Sequence, residues 1–245
     1  GSRPAGAERE GMRRFFVEAA GVSGEEVTLS EEESHHIVKV LRLPVGSEIE
    51  LLDGRGGVYR AELLSLGRRV AARIVAPVAT AGGAGRQLTV YQAILKGEKM
   101  DTVVQKCTEL GVSRLVPVRS RRCQGGRDDE RDARRLERWR RIGVAACKQC
   151  LRPVLMDIAM PLAVADLASH CQAQRRLLFW EEERALHLRG LADWGETASA
   201  ALFFGPEGGL AGEEVELLRQ GGWVTVSLGE RILRAETAPL GAVAI

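Results

Sequence analysis

The chain has 245 residues, 45% of them apolar and 28% charged, with a formal net charge of +2 at neutral pH. That is the composition of an ordinary soluble protein with room for one large or two small cores. No apolar run reaches bilayer-spanning length, and the opening Gly1 to Gly11 lacks the apolar stretch of a signal peptide. The five cysteines, an odd number, argue against a disulfide scaffold and for a reducing cytoplasm.

Residues 1–11 read as a disordered leader, or a remnant of expression, ahead of a native start at Met12. From Met12 to about Val75 the pattern is short and β-rich. Ile49 and Leu51 alternate with polar neighbours before the turn signal Asp53-Gly54, and the runs Val58–Leu63 and Val70–Ile74 follow. Short strands with tight turns predict a small barrel. One helix interrupts it, with Ser30 as N-cap, Glu33 completing a capping box, and His36, Ile37, Val40 and Leu41 on its face. This segment carries nine basic and ten acidic residues, so its charge gives no sign of a nucleic-acid partner. Residues 76–86 are small and rich in helix and strand breakers, which predicts a linker.

From residue 87 to 245 strand and helix patterns alternate. Strands are expected at Leu88–Leu95, Leu115–Val118, Val154–Ile158, Leu177–Trp180, Ala201–Phe204 and Trp223–Leu228. Met100, Val103, Val104, Cys107 and Leu110 mark one helix face, closed by Gly111 in the C′ position. Leu136, Trp139, Gly143 and Ala146 mark a longer helix. The alternation predicts an α/β domain with a parallel sheet covered on both faces. Cys147-Lys-Gln-Cys150 lies in the helical pattern without a second ligand pair, so packing is a better account of it than zinc or redox chemistry. No metal site is expected.

Charge is concentrated in one window. Residues 119–152 hold twelve basic and five acidic residues, a net of +7 in a chain whose total is +2. Arginine clustering of this kind suits bidentate contact with phosphate oxygens and predicts a nucleic-acid surface. A solvated helix laced with i,i+4 ion pairs is the alternative for Asp128 to Arg138. The excess over pairing, at Arg119, Arg121 and Arg122 above all, favours RNA.

Two loops near the C-terminus carry the clearest chemistry. Gly205-Pro206-Glu207-Gly208-Gly209 follows the apolar run Ala201–Phe204, and Leu228-Gly229-Glu230-Arg231-Ile232-Leu233-Arg234-Ala235-Glu236-Thr237 follows Trp223–Val226. Two parallel strands ending side by side in glycine loops would make a backbone-lined pocket at the carboxyl edge of a sheet. The first loop has a Glu and no Lys, and no GxGxxG follows any strand, so a phosphate cradle is disfavoured. Peptide groups and one carboxylate suit an adenine, ribose hydroxyls and a cationic centre, a description S-adenosylmethionine meets. Ordinary glycine turns are the alternative.

These strings resemble the RsmE family, the 16S rRNA uracil-N3 methyltransferases of the SPOUT class. The likeness includes Lys96–Asp101, Gln105–Val112, Arg138-Trp139, Ala145–Cys150 and the N-terminal His35–Leu43, and it spans most of the chain from about residue 12. Ala235 stands where the family usually has Thr, Leu151 where it usually has Gly, and the chain stops at Ile245, somewhat short of the usual end. The resemblance implies a trefoil-knotted SPOUT sheet after a PUA-like β-barrel that helps hold RNA. It places S-adenosylmethionine against Gly205, Pro206, Glu207, Gly208, Gly209, Leu228, Gly229, Ile232 and Leu233, with the loop after Leu177–Trp180 closing the third side; Phe179 and Trp180 could face adenine, though an aromatic at a strand end is more often core. It also implies a homodimer, with 16S rRNA or the small ribosomal subunit crossing from one protomer toward the other's cofactor. Lys96 and Lys99 follow the first strand of the domain, where a loop could reach RNA or the partner. With Arg42, Arg119, Arg121, Arg122 and Arg152 they make up the candidate RNA-binding set.

Methylation at uracil N3 is an in-line displacement from which a proton must leave, with negative charge developing on the flanking carbonyl oxygens. Arg231 and Arg234 are the candidates to stabilise that charge, with a structural salt bridge from Arg234 to Glu207 or Glu236 as the alternative. Glu236 is a candidate base, or a residue that only opens a helix with Thr237 nearby as cap. Competing with an enzyme acting at uridine N3 are a SPOUT methyltransferase acting at another RNA position and a non-catalytic RNA-binding assembly factor. A nucleotide-cofactor oxidoreductase ranks lower, because the phosphate-loop glycines are missing.

Overall fold

The computed structural model describes residues 12–17, 25–79, 86–123, 126, 128–191 and 197–245. The expected leader, and residues 80–85 of the expected linker, lie outside them. The chain divides into two compact units, one within Gly1–Gly83 plus Leu151–Leu155, the other within Ala84–Cys150 and Met156–Ile245.

The first unit is a curled five-stranded sheet. Its strands are β1 (Arg14–Phe16), β2 (Glu26–Thr28), β3 (Glu48–Leu52), β4 (Val58–Ser65) and β5 (Ala71–Pro77), in the order β1-β3-β4-β5-β2. The β1–β3 pair is parallel and the others antiparallel. Phe15, Leu29, Ile49, Leu51, Ala61 and Leu63 fill the inside. Glu50, expected on the polar face, is buried because Arg14 Nε lies 2.6 Å from its carboxylate. Strand β5 reaches Pro77, two residues into the stretch expected to be linker.

Ser30 does cap helix α1 (Glu31–His35), its hydroxyl accepting the Glu33 N–H at 3.2 Å, while the Glu33 carboxylate accepts the N–H of Phe16. The helix continues as a π-turn over His36–Leu41. That wider turn breaks the 3.6-residue spacing, so Ile37 is buried but Val40 is 61% exposed, against the expected face. Between Leu151 and Leu155 the chain returns to this unit, with Leu155 N–H donating to Gly54 O at 3.0 Å and Val154 bridging Arg55. The strand expected at Val154–Ile158 is therefore split, and only its last two residues join the second sheet.

Leu151 adopts φ +65°, a left-handed conformation that costs a side-chain-bearing residue roughly 1 kcal/mol or more. Leu151→Gly is accordingly expected to raise the unfolding free energy by about 1 kcal/mol in a urea titration; no gain would mean that the 53%-exposed side chain contributes as much as the strain removes.

The second unit is a parallel sheet of seven strands. They are β6 (Gln87–Ala93), β7 (Arg114–Arg119), β8 (Asp157–Ile158), β9 (Leu162–Ala163), β10 (Arg175–Phe179), β11 (Ser199–Phe204) and β12 (Val224–Val226). Their order is β12-β10-β11-β6-β7-β8, with β9 also paired to β7. The helices are α2 (Lys99–Glu109), α3 (Asp129–Cys150), α4 (Leu167–His170), α5 (Gly212–Gln220) and α6 (Thr237–Val243).

Side-chain alternation sends successive strand residues to opposite faces. Val90, Leu115, Leu177, Leu202 and Phe204 pack with Val103, Val104 and Cys107 of α2, Leu136 and Trp139 of α3 and Ala242 of α6. Tyr91, Val116, Leu178 and Phe203 pack with Leu167 of α4 and with Val215 and Leu218 of α5. Gly111 stands just beyond α2 at φ +85°, as expected of a C′ glycine. Cys107 and Cys147 are buried thiols outside any disulfide, and burial pushes Cys107 up to about 12.

Candidate active site

The strand order decides which loops meet. Strands β11 and β12 are not neighbours; β10 lies between them, and all three run parallel. The two glycine loops therefore flank the end of β10 instead of standing side by side. Between them is a cavity of about 450 Å³. Phe204 at the end of β11 stacks on Phe179 at the end of β10, ring centroids 4.5 Å apart and planes within 12°. Both rings line the cavity, as do Val226, Ser227 and Trp180. Trp180 also carries the Arg219 guanidinium 5.1 Å above its ring.

Of the nine residues that the resemblance places at a donor molecule, eight line this cavity beside Phe179: Gly205, Pro206, Glu207, Leu228, Gly229, Ile232, Leu233 and Gly209. Gly208 is not among the lining residues, and its carbonyl accepts a hydrogen bond from Arg122 Nη1 at 2.7 Å. Gly209 stands at φ +69°, a left-handed conformation that favours glycine. Gly229 stands at φ +123° in the second loop. Gln92, fully buried on β6, donates to the Gly205 carbonyl at 3.3 Å and ties the first loop to the sheet.

Arg231, Arg234 and Glu236 also line the cavity. The two arginines are exposed, and among the described residues neither forms an ion pair, so the salt bridge from Arg234 weighed as the alternative is absent there. Lys99 takes that place. Its ammonium is 3.1 Å from Glu207 Oε1 and 3.8 Å from Glu236 Oε2. Partial burial alone would raise the Glu207 carboxyl, but its own N–H, the Lys96 N–H at 3.1 Å and the Lys99 ammonium outweigh it and hold the group below the usual carboxylate range. Glu236 occupies the N-cap position of α6 without a side-chain capping bond, and its buried Oε2 has no hydrogen-bond partner.

The basic window is more tightly engaged than its composition suggests. Arg119 binds the buried Asp132 and donates to Pro161 O at 3.1 Å, and its side chain is only 18% exposed. Arg121 pairs with Glu213, and its N–H donates to Glu214 Oε1 at 2.8 Å. With Arg122 holding Gly208, all three arginines picked for their excess over pairing have internal partners. The expectation counted only acids nearby in sequence, whereas Glu213 and Gly208 come from the far end of the chain. Arg42 and Lys96 are exposed, and Arg152 is half-buried. Glu181, Arg184 and Glu230 complete the cavity rim without having been singled out. Their position directly after β10 and β12 is the signal that would have found them.

Comparison with known proteins gives the family of the chain. The RNA methyltransferase domain family matches residues 84–245, and the RNA methyltransferase PUA domain family matches residues 29–74. Ribosomal RNA small subunit methyltransferase E of Bacillus subtilis is 31% identical, over 95% of this chain and 94% of its own length. Its Synechocystis counterpart is 33% identical over 89% of this chain and 71% of its own. Among solved structures, ribosomal RNA small subunit methyltransferase E of Neisseria gonorrhoeae, bound to S-adenosylmethionine, aligns with a TM-score of 0.86 at 32% identity, covering 95% of both chains. A Legionella pneumophila methyltransferase structure with the same bound cofactor has a TM-score of 0.86 at 29% identity, again covering 95% of both. Among the described residues no helix is long and apolar enough to cross a membrane, and no cluster of side chains suits a metal ion. With two family patterns in the right order and near full-length relatives, the chain belongs to the ribosomal RNA small subunit methyltransferase E family.

Proposed function

We propose that this protein transfers a methyl group from S-adenosylmethionine to N3 of a uridine in 16S rRNA, working in the cytoplasm as a homodimer. The observation that carries the reading is the cavity where three parallel strands end, lined by glycine backbone and carboxylates and lacking a phosphate-binding motif. The residues present fit the donor. Gly229, with open space where a Cβ would stand, leaves the main chain open to close approach, and Phe179 and Phe204 offer an apolar wall. The Glu236 carboxylate, whose Oε2 lacks a hydrogen bond and has Lys99 only 3.8 Å away, suits a cation. The cofactor-bound relatives support the same assignment.

When bound, S-adenosylmethionine supplies an electrophilic methyl group, its S–CH₃ electron pair staying on sulfur as N3 forms the new bond. This chain's own residues handle the acceptor. Arg231 and Arg234, without ion pairs among the described residues, are available to the carbonyl oxygens on which charge develops as the N3 proton leaves. The uracil must be unpaired or splayed out, since N3 lies on its pairing edge. In this reading Arg42, Lys96 and Arg152 contact RNA directly. Arg119, Arg121 and Arg122 shape the loop that faces it, and Lys99 orders the carboxylates.

The test is to treat unmodified small-subunit rRNA with the protein and S-adenosylmethionine and identify the product nucleoside by mass spectrometry. A 3-methyluridine is expected. A ribose- or guanine-methylated product would move the chemistry to another atom, and no product together with no donor binding in calorimetry would favour a non-catalytic assembly factor.

A further inference from the structure

The Glu236 carboxylate has an incomplete set of neighbours. Its side chain is 18% exposed, and Oε2 is buried without a hydrogen bond. The nearest cation, Lys99 Nζ, stops 3.8 Å away because it is held 3.1 Å from Glu207 Oε1. Glu207 is satisfied from two sides, by the Lys96 N–H and by Lys99. Of the two cavity carboxylates beside Lys99, Glu236 is thus the one without a close cation. A carboxylate oxygen shielded from water attracts a cation more strongly than an exposed one does, because water neither screens the charge nor competes for it.

Methyl transfer changes the charge of what the cavity holds. The donor carries a positive sulfur; once the S–CH₃ bond has broken with its electrons left on sulfur, N3 has gained the methyl and its proton has passed to solvent, the remaining thioether is neutral there. The two molecules otherwise share adenine, ribose and amino-acid groups. Resting on the function proposed above, we infer that Glu236 is the specificity-determining residue by which the pocket prefers the charged donor over its neutral product, and that Lys99 is a resident counter-cation limiting that preference. The attraction at Glu236 is lost as product forms, which favours release, and Lys99 remains as the neighbouring positive charge.

The experiment is calorimetry on the full chain without RNA, titrating S-adenosylmethionine and S-adenosylhomocysteine separately and reading the ratio of their Kd values. Glu236→Gln should cut the preference for the charged ligand about tenfold, and Lys99→Met should raise it by a similar factor. Affinity for the homocysteine compound should stay within about twofold in both, which also reports that the cavity is intact. A purely structural role would move both ligands together; that result, or the same ratio in all three proteins, overturns the inference while leaving the methyltransferase reading standing. If Glu236→Gln does not fold, Lys99→Met decides by the same criterion. Failure of the natural chain to bind either ligand removes both the inference and the function on which it rests.

Discussion

Arg234→Ala is expected to slow methylation by about 10²- to 10³-fold while changing donor affinity by less than about threefold. The size follows from removing a preorganised positive group from beside an atom on which charge develops only during reaction. The structure gives Arg234 the attributes of such a group. It lines the cavity, its guanidinium is exposed without an ion pair among the described residues, and its carbonyl accepts the N–H groups of Thr237 and Ala238, at 2.9 and 3.0 Å, where α6 begins. The backbone is thereby pinned while the side chain stays available. Single-turnover kinetics on small-subunit rRNA, together with calorimetry of the donor, separate the two quantities. A fully active variant would remove Arg234 from the mechanism, whereas equal losses in rate and donor affinity would make it a cofactor-binding residue. Arg231→Ala in the same assay ranks the two arginines.

Phe204→Ala should cost about 4 kcal/mol of stability and also weaken donor binding. The ring is 1% exposed and stacks on Phe179, so truncation leaves a void and loses a stacking interaction worth roughly 1 kcal/mol. Phe203→Ala is the control. That ring is also fully buried, but it packs on the opposite face of the sheet, with Trp223 and α5. Denaturant unfolding should show similar losses in both variants, and donor binding at low temperature should fall only in Phe204→Ala. Equal weakening in both would mean that affinity follows general stability, and a loss below 1 kcal/mol at Phe204 would contradict its place in the core.

Much of this protein is legible in its residues taken in order. Period-two runs around Ile49 and Val58–Leu63 mark the curled sheet, and the alternation from residue 87 onward marks a covered parallel sheet. Gly205–Gly209 and Leu228–Thr237 mark the cavity, because glycine and apolar strand patterns are local properties of the chain. Charge was less informative. Twelve basic residues between 119 and 152 can be counted, but a count does not tell a guanidinium facing solvent from one bound to Asp132 or holding Gly208.

What only the tertiary structure decided was adjacency. The insertion of β10 between β11 and β12, the return of Leu151–Leu155 to the first unit, and the meeting of Lys99 with Glu207 and Glu236 join residues dozens to more than a hundred positions apart. Periodicity and turn chemistry report interactions over a few residues. Strand order and ion-pair partners are set by how whole faces are buried against one another, and no short string of the sequence encodes that.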